Sequence, residues 1–203
     1  MAFKRPLVIQ TYHSQHEKVT LDIPVVSGAA TQAVDHFINT DIRKGVQQLI
    51  SEQGSLEDPR SEMIGWFETK TNEKGVLSLS LYNYAYTGGA HGLTLQKSLT
   101  FNTDNGQAYT LAQLFKPGSN YVKRLSDIVA KQIKERRIDT LEPFKSIRPD
   151  QDYYIADRSL VIYFQLYELT AYVYGFAYFP ISVYELQDII NEDGPLGPMV
   201  VND

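Results

Sequence analysis

From Val76 to Phe101 the chain reads VLSLSLYNYAYTGGAHGLTLQKSLTF, two runs of strict alternation joined by a glycine-rich loop. Successive side chains in a strand point to opposite faces. Leu77, Leu79 and Leu81 therefore share one face, and Ser78, Ser80, Tyr82 and Tyr84 the other. Leu93, Leu95, Lys97, Leu99 and Phe101 alternate with Thr94, Gln96, Ser98 and Thr100 in the same way. Period two held this long predicts strands over 76–86 and 93–101 and excludes an all-helical fold.

The loop between them, TGGAHG, raises three chemical readings. A phosphate loop needs glycines that open a helix, so that free amides and the helix dipole meet the anion. These glycines open a strand, and no Gly-Lys-Ser/Thr follows, so nucleotide binding is excluded. A nucleophile elbow would need Gly-x-Ser-x-Gly, which the chain lacks. What remains is a strand connection in which Gly88, Gly89 and Gly92 permit positive φ or close backbone approach. His91 is then either a local brace or a binding or catalytic group.

Elsewhere the period changes. Val34, Phe37, Ile38, Ile42, Val46, Leu49 and Ile50 form one apolar stripe, predicting a helix over 31–50. Tyr121, Val122, Leu125, Ile128, Val129 and Ile133 predict another over 119–138, with Ser119 as its cap. Strands are expected over Leu7–Tyr12 and Val19–Val25, turning at His13–Gln15 and with Pro24 best placed at an edge. Further strands are expected over 63–69, 153–156, 160–166 and 176–181. Thr110-Leu-Ala-Gln113 and Ser182-Val-Tyr-Glu185 fit capping boxes, the second opening a last helix to about Ile190. Two halves of similar outline give an α+β fold of two similar lobes, each a largely antiparallel sheet with a packed helix. The expected divisions are 7–90, 91–192 and a loosely held, glycine- and proline-rich tail over 193–203.

Composition narrows the function. The 19 basic and 24 acidic residues give a net charge of -5, which disfavours nucleic acid and anionic membranes as partners. The chain has no cysteine, which excludes disulfides, thiolate metal sites and cysteine nucleophiles. No apolar run is long enough to span a membrane, and Leu7–Ile9 is too short for a signal-peptide core. A complete chain of this kind is expected in the cytoplasm or on the spore, and a trimmed one outside the cytoplasm. His13 and His16 have a His-x-x-His spacing, but the helical His-Glu-x-x-His of a zincin is absent; no metal and no cofactor are expected. Of the fourteen tyrosines, eight lie between Tyr153 and Tyr184. Tyrosine joins a flat apolar face to a polar end, which suits sheet packing, a sugar ring or a protein interface.

The segments YAYTGGAHG, SLTFNTDNGQAYTLAQLFKPGSNY, DYYIADRSLVIYFQLYEL and GFAYFPISVYEL together resemble a bacterial pair of linked domains of unknown function. That pair forms the ectodomain of lysozyme-sensing anti-sigma factors of the RsiV type and precedes the catalytic domain of some cell-wall polysaccharide deacetylases. The resemblance covers nearly the whole chain. It implies a two-lobed α/β fold and envelope sensing or binding. The anchor and sigma-binding segment of the one group, and the catalytic domain of the other, have no counterpart in this sequence. It resembles short stand-alone members from spore-forming Gram-positive bacteria.

The leading expectation is a non-catalytic binding module of the envelope or spore, for a lysozyme-like protein or peptidoglycan. Its candidate residues are Gly88, Gly89, His91, Gly92, Tyr172 and Tyr174. Two alternatives stand beside it: a hydrolase of cell-wall glycan using His91 and a carboxylate the sequence does not identify, and a structural protein of the spore or envelope.

Overall fold

The computed structural model describes residues 5–201. The chain is α+β, in two compact units divided between Ala108 and Tyr109.

The first unit contains β1 (Val8–His16), β2 (Val19–Ser27), α1 (Gln32–Glu52), β3 (Glu62–Glu73), β4 (Val76–Tyr86) and β5 (Leu93–Asn102). They form one five-stranded sheet in the order β1-β2-β3-β4-β5. All neighbours are antiparallel except β2 and β3, which run parallel on either side of α1 in sequence. Thr31 caps α1 by accepting from the Val34 amide at 3.3 Å. Asp35 in the first turn, where a carboxylate suits the helix dipole, also accepts from the amides of Gly28 and Ala29. The predicted stripe buries Val34, Ile38, Ile42 and Leu49, which share a core with Leu77, Leu79, Leu81 and Phe101. Each such side chain contributes about 1.5–3 kcal/mol by leaving water. Gly45 sits within the stripe because a β-carbon there would fall 2.9 Å from Leu81 Cδ1; the missing side chain lets the helix close on the sheet.

β4 is buried on both faces, serines included. Buried hydroxyls need partners, and they find them across the strand pair: Ser78 with Thr100 at 2.9 Å and Ser80 with Ser98 at 2.8 Å. β2 pairs with β3 only through Val19–Leu21 opposite Met63–Gly65. Pro24, whose nitrogen carries no proton, lies beyond that pairing, where no ladder bond is required of it. At the far end Asn72 closes on Leu7, accepting from its amide at 2.9 Å and donating to its carbonyl at 2.8 Å.

The second unit contains α2 (Tyr121–Arg136), β6 (Tyr153–Ala156), β7 (Ser159–Phe164), β8 (Ala177–Ser182) and the short α3 (Gly197–Val200). Its sheet is antiparallel in the order β6-β7-β8. Asp157 takes a positive φ of 50° in the β6–β7 turn. α2 buries Leu125 and Val129 and covers the outer side of β8. Gln132 donates to the Pro180 carbonyl and Arg136 to the Tyr178 carbonyl, both at 2.7 Å.

Several expectations are corrected. The first turn falls at Glu17–Lys18, because β1 and β2 pair continuously from Val8↔Ser27 to His16↔Val19; His13 to Gln15 belong to the strand. The unit boundary lies after Ala108 and not at residue 90, because β5 pairs with β4 along almost its whole length. Asn120 caps α2 by accepting from the Lys123 amide, while the Ser119 hydroxyl is buried without a hydrogen-bond partner among the described residues. Ser182 caps only a three-residue 3₁₀ turn, Val183–Glu185. The predicted helix stops there because the next segment pairs with 114–116: the Lys116 amide donates to Ile189 O and the Asn191 amide to Leu114 O. The tail over 193–201 is packed, with Leu196 and Met199 fully buried; two apolar side chains three positions apart outweigh the entropy of the surrounding glycines and prolines.

Candidate functional site

In the first unit the glycine loop joins β4 to β5 and packs beside the irregular segment before β3. Gly88 and Gly89 have φ of +104° and +109°, a region that L side chains rarely adopt. Gly92 is needed for another reason: a β-carbon there would lie 2.3–2.5 Å from the Tyr84 ring. The Tyr86 hydroxyl donates to the Gly89 carbonyl at 2.9 Å. His91 is exposed, with Nδ1 at 2.9 Å from the Gly92 carbonyl oxygen. Asp58 sits against Gly88, its Oδ2 at 3.0 Å from where a β-carbon would stand. Arg60 grips Asp58 through its amide and through Nε and Nη2 of its guanidinium, and that guanidinium lies 5.8 Å from the Tyr86 ring centroid. These bonds, with the Lys18 charge, hold the Asp58 carboxyl at about 2, below the ordinary 3.8. Lys18 itself donates to Leu56 O, Asp58 O and Ser61 Oγ. The result is a braced loop with an ion pair at its side.

The histidine pair of the sequence does not form a cluster. His13 and Asp22 face each other across β1–β2 at 2.8 Å. Among the described residues, no group of three or more His, Asp or Glu could hold a metal ion.

In the second unit most tyrosines are structural. Tyr154, Tyr163 and Tyr178 form a triangle of rings 5.9–6.0 Å apart on the sheet. Tyr163 is fully buried, and the Tyr153 hydroxyl donates to the Tyr109 carbonyl. The segment between β7 and β8 differs. Tyr172 to Tyr174 form a 3₁₀ turn ended by Gly175 at φ +71°. Val173 is 82% exposed, Tyr174 62% and Tyr167 50%. Tyr167, held at φ +67°, stacks on Tyr172 with centroids 5.4 Å apart. Tyr167 also lines an open groove of about 480 Å³ whose apolar lining includes Leu141, Phe144, Phe164 and Leu169. Arg148 and Glu168, in contact, line the groove as well, and Glu168 further accepts from the Gln165 amide at 2.8 Å.

Gly88, Gly89, His91 and Gly92 thus lie together in the first unit, while Tyr172 and Tyr174 belong to the second. Asp58, Arg60, Tyr167 and Val173 complete the two surfaces and escaped the sequence reading. Asp58-Pro59 reads as an ordinary turn, and nothing periodic distinguishes Tyr167 from the buried tyrosines around it.

A sheet-and-helix unit followed by a smaller one defines a tandem α+β class. Residues 11–94 match the family described as Deacetylase PdaC. Residues 112–184 match the family described as Protein of unknown function (DUF3298). The chain therefore carries a PdaC-like domain followed by a DUF3298 domain. It is 27% identical to the anti-sigma-V factor RsiV of Bacillus subtilis, over 87% of this chain and 67% of that protein. It is 22% identical to the peptidoglycan-N-acetylmuramic acid deacetylase PdaC of the same organism, over 79% of this chain and only 36% of the enzyme. Two solved structures share the fold: a DUF3298 family protein from Pseudomonas aeruginosa (TM-score 0.73, 14% identity, 98% of this chain and 99% of that one) and another from Bacteroides fragilis (0.66, 13%, 98% of each). Among the described residues no helix is long and apolar enough to cross a membrane.

Proposed function

We propose that this chain is a non-catalytic binding module of the bacterial envelope or spore, with a lysozyme-like protein as its ligand and peptidoglycan fragments as the competing one. The observation that carries this reading is the ridge of exposed Tyr167, Val173 and Tyr174, with half-buried Tyr172 stacked on Tyr167, which itself lines an open groove. Exposed aromatics that desolvate on contact are the residues that dominate protein interfaces. The relationship to an anti-sigma factor and to an envelope deacetylase supports the compartment. His91, with Gly88, Gly89 and Gly92, forms a second contact surface in this reading, on the first unit.

The hydrolase alternative needs a carboxylate able to exchange a proton near neutral pH. Asp58, the carboxylate packed on the glycine loop, is held ionised far below that range, which suits an ion pair and speaks for binding.

The test is thermal unfolding during titration with c-type lysozyme and, separately, with muropeptides. A ligand that binds only the native state raises its stability by about 2.7 kcal/mol at a hundredfold excess over Kd. A rise in Tm is expected with one of the two and is lost in Tyr172→Ala/Tyr174→Ala. No rise with either ligand sinks the proposal. A rise that survives in the double variant removes the ridge from it.

A further inference from the structure

Most sheet edges in this chain carry a protective device. β6 is four residues long. β8 contains Pro180, and α2 side chains occupy its carbonyls. β5 carries Lys97 and folds back on itself, with Phe101 bridged to Ala108 and the Asn102 amide bonded to Gln107 O. Short length, proline, charge and covering segments are the means by which edges avoid pairing with other chains.

β1 has none of these. It is nine residues long, VIQTYHSQH, without proline, lysine, arginine or carboxylate. Its register with β2 is unbroken, and its side chains are mostly exposed. Its open positions can be read from the neighbouring bonds. Lys18 O reaches across to β3, and Val26 bonds Asn39 through both its amide and its carbonyl. Even-numbered residues of β2 thus turn their backbone groups away from β1. In an antiparallel ladder the residues opposite them turn away as well. Ile9, Thr11, His13 and Gln15, opposite Val26, Pro24, Asp22 and Thr20, therefore present amide and carbonyl to the open edge. Leu7, just before the strand, turns instead toward β3 and bonds Asn72; among the described residues the four outward positions meet no further strand of the sheet.

We propose that β1 is a self-association edge, pairing antiparallel with β1 of a second copy about a two-fold axis at Tyr12. This goes beyond the ligand-binding reading and does not depend on it. The register is set by the strand. Centring on Tyr12 places Thr11 opposite His13 and Ile9 opposite Gln15 of the partner strand, so all four outward positions on each copy find a hydrogen-bonded mate. Between them fall the closer pairs, Tyr12 on Tyr12 and Gln10 on Ser14. An aromatic pair is favourable at such a position, and with no lysine, arginine or carboxylate in the strand none of these side chains sets like charges opposite each other. An isologous contact of this kind closes at two copies.

The experiment is sedimentation equilibrium from low to high micromolar protein, with amide hydrogen exchange at the two extremes. A reversible dimer is expected, with protection rising at Ile9, Thr11, His13 and Gln15 as concentration rises. Tyr12→Lys exchanges the aromatic pair for two facing ammonium groups and should raise the dimer Kd roughly tenfold. Thr11→Pro, which removes an outward donor, should do the same. Tyr12 is 60% exposed, so the monomer fold should survive, and circular dichroism checks it. A chain that stays monomeric at every concentration overturns the proposal. So does a dimer whose Kd neither substitution changes, or one without concentration-dependent protection in β1.

Discussion

Alanine at Gly88 is expected to destabilise the first unit by about 2–3 kcal/mol, more than alanine at Gly89 or at His91. A residue with a β-carbon forced into a sparsely populated region of positive φ carries about 1–3 kcal/mol of strain. Against this stands about 0.4–1 kcal/mol gained by stiffening the unfolded chain. Gly89, at nearly the same φ and with none of the described residues within 4 Å of where its β-carbon would stand, shows that difference alone, so Gly89→Ala should cost about 1–2 kcal/mol. Gly88 adds a contact at 3.0 Å with Asp58 Oδ2. That carboxylate is not free to retreat, because Arg60 holds it from backbone and side chain together. His91→Ala surrenders the bond at the Gly92 carbonyl from an exposed site and should cost only about 0.5–1.5 kcal/mol. Urea melts read the order. Trp66, the only tryptophan, lies on β3, so its fluorescence reports the first unit even if the two units unfold separately. A His91→Ala midpoint shifted as far as that of Gly88→Ala would refute the reasoning, and so would a neutral Gly88→Ala.

Further outcomes follow from the same geometry. Asp58 has its folded value depressed to about 2 from 3.8; its stabilisation is therefore complete above pH 4 and lost as pH falls toward 2, and Trp66 melts of Asp58→Asn should lack that part of the acid dependence. Glu68 is lowered as well, by hydrogen bonds from Lys70 first and then from the Tyr82 hydroxyl, so Tyr82→Phe should cost about 0.5–1.5 kcal/mol in the same melts. Met199→Ala or Leu196→Ala should cost about 2–5 kcal/mol by thermal denaturation, where a loose tail would show no change. Gln132→Ala with Arg136→Ala should bare the β8 carbonyls and speed amide exchange along β8 without altering oligomeric state.

What the sequence made legible was whatever repeats. α1 and α2 announce themselves through apolar stripes, and β4 and β5 through alternation, because a single period there decides which side chains leave water. Single residues were harder to place. Glu17-Lys18 is no turn dipeptide, and its position follows from the β1–β2 register, a long-range fact. Asn120 and Ser119 are both good caps, and only the helix geometry chooses between them. The segment after Ser182 carries a helix-start signal that backbone pairing with 114–116 overrides. The glycine loop was located as a strand connection, but its partner Asp58 comes from a polar loop some thirty positions earlier. Among the tyrosines, Tyr163 is buried and Tyr174 exposed for reasons of strand register and loop path that composition does not carry.

The short seam between β2 and β3 has a kinetic consequence. β3, β4 and β5 are consecutive hairpins whose contacts are local, and local contacts form first. β2 can join β3 only after the whole length through α1 is closed, and loop closure must precede any reward. The reward at the seam itself is three facing residue pairs, with the Asn72–Leu7 bonds as a clasp at the other end. The β1–β2 ribbon is therefore the last part of the sheet to dock and the first to lift. Native-state exchange should show it opening as a subglobal unit at lower free energy than β4, and protection of Val19–Leu21 equal to that of Leu77–Leu81 would contradict that order. A strand that arrives late spends the longest time with its edge in water, so the interval before docking is when this chain is most open to pairing with a neighbour.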